Sequence, residues 1–198
     1  MSKVIHNEIC EAAARNDVAE LENLLDHYPG FDGPIDLEGF LGHAVENDAA
    51  DATAWLIDRG ASANPPVSKP AERSLLMSAL YYTADNSAMV LLEKGADVSV
   101  QGPDGYPLHY AVRRGASREV ILKMMEKGAD MNAAIDFYGT PLDCARYHTD
   151  ALEVFNDIIR QKEEREKLEK LEAALAVVRN GLPYDLKIGK PFILKRRQ

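Results

Sequence analysis

Five times at nearly regular intervals along the chain an aliphatic residue is followed three positions later by an alanine. The pairs are Ile9 with Ala12, Leu41 with Ala44, Leu76 with Ala79, Leu108 with Ala111 and Leu142 with Ala145. Successive copies lie 32, 35, 32 and 34 residues apart. A period near 33 residues marks one supersecondary unit per copy, and such a unit buries its apolar face only by stacking on its neighbours. The expected fold is therefore an array of similar units, with the five leucine or isoleucine positions and their alanines in the core between them.

The stretch DGYPLHYAVRRG, Asp104 to Gly115, shows what each unit contains. Proline is tolerated at the first position of a helix, where its missing N–H has no partner to lose, so Pro107 opens a helix. Leu108, Ala111 and Val112 form one stripe on that helix, and Gly115 stops it after two turns. A helix so short needs packing to exist in water. After each alanine a second apolar segment follows: VAELENLLDHYPG, ATAWLIDRGASAN, SAMVLLEKGADVS, REVILKMMEKGADMN and ALEVFNDIIRQ. Three of these run into Gly-Ala, at Gly60, Gly95 and Gly128, where glycine can take the left-handed conformation that closes a helix. The unit reads helix, tight turn, helix, glycine cap, loop.

This pattern resembles the ankyrin repeat, whose hallmarks are Thr-Pro-Leu-His-x-Ala and, later, Gly-Ala-Asp-x-Asn. Tyr106-Pro107-Leu108-His109-Tyr110-Ala111 and Gly128-Ala129-Asp130-Met131-Asn132 carry it in the fourth unit, and Thr140-Pro141-Leu142-Asp143-Cys144-Ala145 carries it in the fifth. The resemblance implies an all-α solenoid of helix-turn-helix units over residues 1–160, divided near 3–35, 36–64, 70–99, 100–132 and 133–160. Units 1 and 2 lack the Thr-Pro start, and Ala61 to Ser74, with three prolines, lengthens the loop before unit 3. Unit 5 lacks the Gly-Ala-Asp ending, and its second helix runs on. Residues 161–181 are expected as a C-terminal helix with Leu168, Leu171, Leu175 and Val178 on one face. That face could cap the array, dimerise or bind a partner. Residues 182–198 form a basic tail, either laid against the array or held out as an arm.

Charge is unevenly spread. Residues 1–160 hold 13 Lys and Arg against 26 Asp and Glu, a charge of −13, and residues 161–198 hold 10 against 6, a charge of +4. An acidic body disfavours nucleic acid and anionic membrane, and steers a partner with a basic patch toward itself at low salt. No stretch has the length and apolarity of a membrane span, and the N-terminus lacks the apolar run of a signal peptide. The expectation is a cytoplasmic monomer. Its two cysteines, Cys10 and Cys144, are expected as packed thiols.

The motifs of covalent, phosphate-binding and zinc chemistry are missing, so no catalytic, cofactor-binding or metal-binding residue is expected and the protein is not expected to be an enzyme. Asp97 and Asp130 recur with the period, 33 residues apart. They are read as carboxylates bonded to turn backbone. For His109 the resemblance implies a structural hydrogen bond between neighbouring repeat loops, and for Asp143 a similar one.

The resemblance also implies that partner proteins bind the concave face, through the loop tips and two positions late in each first helix. Those positions are Ala14 and Arg15, Glu46 and Asn47, Tyr81 and Tyr82, Arg113 and Arg114, Tyr147 and His148. Tyrosine and arginine are enriched at interface hot spots, so the last three pairs stand out. The competing reading has the aromatics packed on their own loops and the arginines paired with acids such as Asp104 or Asp136. The function expected is a non-catalytic protein-binding module or scaffold. An immunity or inhibitor protein masking a basic toxin or enzyme is the alternative, and a regulator touching nucleic acid through its basic tail ranks below both.

Overall fold

The computed structural model describes residues 3–27, 35–66 and 72–181. Within them ten helices follow one another as five antiparallel pairs: α1 (Lys3–Ala14) with α2 (Val18–His27), α3 (Leu37–Glu46) with α4 (Ala50–Asp58), α5 (Leu75–Tyr81) with α6 (Asp85–Glu93), α7 (Pro107–Arg114) with α8 (Arg118–Glu126), and α9 (Pro141–Ala145) with α10 (Thr149–Gly181). First helices pack on first helices, α1 on α3, α3 on α5, α5 on α7 and α7 on α9, and second helices stack alongside as α2, α4, α6 and α8. β-structure among the described residues is confined to two isolated bridges in loops, Gly102 with Gly105 and Ile135 with Gly139. The chain divides into two compact units, Met1–Phe155 and Asn156–Gln198.

The periodic residues form the core of the first unit. Ile9, Ala12, Leu41, Ala44, Leu76, Ala79, Leu108, Ala111 and Ala145 are all buried. Leu142 departs from the expectation and is only half-buried. α9 is the last first helix of the array among the described residues, so nothing equivalent to α9 covers its outer side.

The first turn closes in one way in repeats 1 to 4, and the second in one way in repeats 2 to 4. The alanine that sets the period supplies the carbonyl for the first turn: Asp17, Ala49, Ala84 and Ala116 donate backbone N–H to Ala12, Ala44, Ala79 and Ala111 at 2.8–3.0 Å. This closure needs a left-handed residue, and the four that provide it are Asn16, Asp48, Thr83 and Gly115, with φ of 61°, 57°, 57° and 71°. Asn and Asp tolerate that region, whereas β-branched Thr83 does so under strain. The second turns close on Gly60, Gly95 and Gly128, also with positive φ, as the Gly-Ala pairs predict.

Neighbouring repeats cap each other's helices. Neither Ala49 nor Ala84, which precede α4 and α6, can cap a helix with its own side chain. Asn16 of the preceding repeat accepts from the Ala52 N–H at 2.8 Å, and Asp48 accepts from the Ser87 N–H at 2.8 Å. Asp85 does the same for the Ser117 N–H, at 2.7 Å. Each places an oxygen on an orphan donor at a helix N-terminus, where the helix dipole also favours negative charge. Farther along the second helices, Arg59 forks onto Asp26 and Lys94 reaches Asp58, one ion pair at each of the first two repeat boundaries.

The second unit is helical as far as Gly181, the last described residue. Its residues 160–179 are exposed, including Leu168, Leu171, Leu175 and Val178 on their common face. Residues 182–198, where the basic tail is expected, lie outside the described residues, as does the middle of the proline-rich loop before α5.

Candidate protein-interaction face

The loops that carry the hallmark residues are fixed by side chains whose chemistry is fully used. His109, buried on α7, accepts the Tyr106 N–H on Nδ1 at 3.2 Å, so its proton sits on Nε2 and is donated to the Gly139 carbonyl of the next repeat at 3.1 Å. Burial pushes the imidazole pKa below its ordinary value, and the neighbouring Arg113 adds to the shift. Proton transfer is not its role, because both ring nitrogens are committed. Asp143 holds the matching place on α9 but bonds locally, accepting from the Thr140 N–H and hydroxyl at 3.1 and 2.8 Å. These bonds hold its carboxyl below the usual range. Asp97 and Asp130 accept the backbone N–H two residues on, each at 2.8 Å, as turn residues do.

Cys144 is buried, with Sγ–H directed at the Tyr138 carbonyl, and Cys10 is half-buried; both are free thiols. Burial raises both pKa values, which makes them poor nucleophiles. No cluster of metal-ligating side chains occurs among the described residues.

The two late positions of each first helix diverge sharply along the array. Ala14 and Arg15 end α1, and Arg15 pairs with Glu11 one turn back at 3.5 Å. Glu46 and Asn47 are exposed, and the Asn47 amide donates to the His43 carbonyl of its own helix. From the third repeat onward the positions interlock. Tyr81 is half-buried between two guanidinium groups, Arg73 from the loop before α5 and Arg114 from the next repeat, each 3.9 Å from the ring centroid. Tyr82 meets Tyr81 edge to face at 5.2 Å and is itself half-exposed. Arg113 lies 3.8 Å over the ring of Tyr138, in the loop leading to α9.

The arginines therefore stack on tyrosines rather than pairing with Asp104 or Asp136. Asp104 instead accepts the Tyr110 hydroxyl, at 3.4 Å. Beside Arg113 a cleft of about 480 Å³ is lined by Tyr138, Arg146, Tyr147 and His148. Phe137 and Tyr147 at its rim are 95% and 88% exposed. Two large aromatic side chains thus stand in water beside the cleft. Sequence reasoning missed Arg73, Phe137 and Tyr138, which come from loops whose spacing follows no period.

A family model of ankyrin repeats, in three copies, matches residues 41–135. Residues 41–135 are ankyrin repeats. The matched span holds the second, third and fourth helix pairs, and the pairs α1/α2 and α9/α10 precede and follow it in the chain. No curated protein matches the chain. Ankyrin repeats are generally protein–protein interaction modules and typically non-catalytic. None of the described helices is long and apolar enough to cross a membrane.

Proposed function

We propose that the protein is a non-catalytic binding module that captures a partner protein on the first-helix face of repeats 3 to 5. The observation that carries this reading is the change at matched positions: Glu46 and Asn47 are ordinary solvated residues, whereas Tyr82 and Arg114 pack on the Tyr81 ring and Arg113, Tyr147 and His148 line a cleft. Stacked arginine and tyrosine are already ordered, so binding loses little side-chain entropy there. The body's charge of −13 adds a long-range field that favours a partner of net positive charge.

The test is affinity capture with the wild-type protein and with Arg114→Glu/Tyr147→Ala, each followed by cross-linking and mass spectrometry. The double variant removes one cation from the Tyr81 ring and one exposed aromatic side chain, so its Tm should fall by no more than the shift expected for about 1 kcal/mol while the specific partner is lost. A partner held equally by both proteins places the interface elsewhere.

A further inference from the structure

Net charge and local charge point in opposite directions at this face. The ankyrin body is strongly acidic, yet Arg73, Arg113, Arg114 and Arg146 converge on repeats 3 to 5. Neither Arg113 nor Arg114 has a carboxylate partner among the described residues. Two carboxylates of the region are engaged elsewhere: Asp104 holds the Tyr110 hydroxyl, and Asp143 holds Thr140 and shares Arg146 at 3.5 Å. A guanidinium laid flat on a ring keeps its N–H edge free, and that edge fits a carboxylate in two parallel hydrogen bonds. The ring shields one side of the cation from water, so a carboxylate arriving at the edge meets a less hydrated and better fixed charge than on an open surface.

Resting on the reading above, we propose that the face receives an acidic segment of the partner protein, its carboxylates on Arg113 and Arg114 and an accompanying aromatic side chain in the cleft between Tyr138 and Tyr147. Phe137 and Tyr147 supply the apolar contact that a purely ionic partner would leave exposed. The surrounding negative body opposes an acidic chain everywhere except at these arginines, which fixes where the segment lands. It opposes an extended polyanion more strongly still, because each phosphate beyond the patch would lie against negative charge.

The probes are capped dodecapeptides of repeated Glu-Phe-Gly, Gln-Phe-Gly and Lys-Phe-Gly, and a single-stranded DNA of equal length. Each is titrated into the full chain at physiological salt while the side-chain NMR signals of Tyr147 and His148 are followed. The Glu peptide should bind at least about tenfold more tightly than the Gln peptide and move both signals. Arg113→Glu/Arg114→Glu should reverse the preference toward the Lys peptide, which a merely unfolded variant could not do. Equal binding of Glu and Gln peptides, or preference of the wild type for Lys, with the same signals moving, overturns the acidic chemistry but keeps the face. DNA that moves these signals at lower concentration than the Glu peptide also overturns it. If no probe moves them up to millimolar concentration, the proposal and the face reading fall together.

Discussion

Repeats 1 and 2 and repeats 3 to 5 share one scaffold and differ in what they hang on it. At the late first-helix positions the N-terminal repeats carry Arg15, bonded back to Glu11, and Asn47, bonded back to His43, so each side chain closes on its own helix. At the matched positions of the C-terminal repeats Arg114 reaches across to Tyr81 of the preceding repeat, and Arg113 lies over Tyr138 in the loop leading to the following one. The scaffold does not need these side chains, since helix closure, capping and core are already complete without them in repeats 1 and 2. Positions with no duty in the fold are free to diverge, and toward one end of the array they carry stacked rings and guanidinium groups.

The largest effects should come from changes that ignore this division. Leu108 is buried on α7, which packs on both α5 and α9, and Leu108→Ala should cost roughly 2 to 5 kcal/mol in denaturant unfolding. Leu142→Ala, at a half-buried copy of the same position, should cost clearly less. Equal losses would mean that the end of the array is as tightly packed as its middle. Next in size is the inter-repeat cap: Asp48→Ala removes the acceptor for the Ser87 N–H and should cost about 1 kcal/mol, and Asp48→Asn should recover much of it. Thr83→Asn, which relieves a β-branched residue at φ 57°, should stabilise by about 1 kcal/mol.

Most of the scaffold was legible because it is periodic. The aliphatic–alanine pairs recur in every repeat and the Gly-Ala closures in three, Pro107 at the head of α7 follows from its residue type, and the loop bond of His109 follows from the family resemblance. The capping ladder was harder to see, because Asn16 and Asp48 act 35 to 39 residues away and only a left-handed backbone aims them there. A signal existed: Asn16, Asp48, Thr83 and Gly115 each lie seven residues beyond the periodic aliphatic. The stacking at the face was legible only by half. The positions of Tyr81, Arg113 and Arg114 follow from register, but Arg73 and Tyr138 sit in loops of unequal length, and no spacing rule predicts which ring an arginine finds.

A smaller effect, confined to the C-terminal repeats, is a pH dependence. Burial depresses the His109 pKa in the folded state, so at pH below the unfolded value, about 6.5, the unfolded chain binds the extra proton and is favoured. The stability from a neutral His109 is therefore complete above that pH and is lost as pH falls toward the folded pKa. Protonation would also remove the acceptor for the Tyr106 N–H. Tm measured from pH 8 to pH 5 should decline below about 6.5, and His109→Gln should flatten that decline. An unchanged profile in the variant would assign the acid sensitivity to other groups.

The smallest expected differences are the ones that test the division most directly. Arg15→Ala removes an exposed ion pair on one helix and should change stability by no more than about 0.5 kcal/mol. Arg114→Ala lifts one cation from the Tyr81 ring but leaves Arg73 on its other contact, so its cost should be about 0.5 to 1 kcal/mol. Tyr81→Ala strips the ring from both guanidinium groups and should cost more than Arg114→Ala alone. A double-mutant cycle between Arg114 and Tyr81 isolates the contact itself. A coupling near zero would show that the two side chains touch without holding each other. The guanidinium would then not be preorganised, and the C-terminal face would have no energetic advantage over Arg15 and Asn47 at the other end.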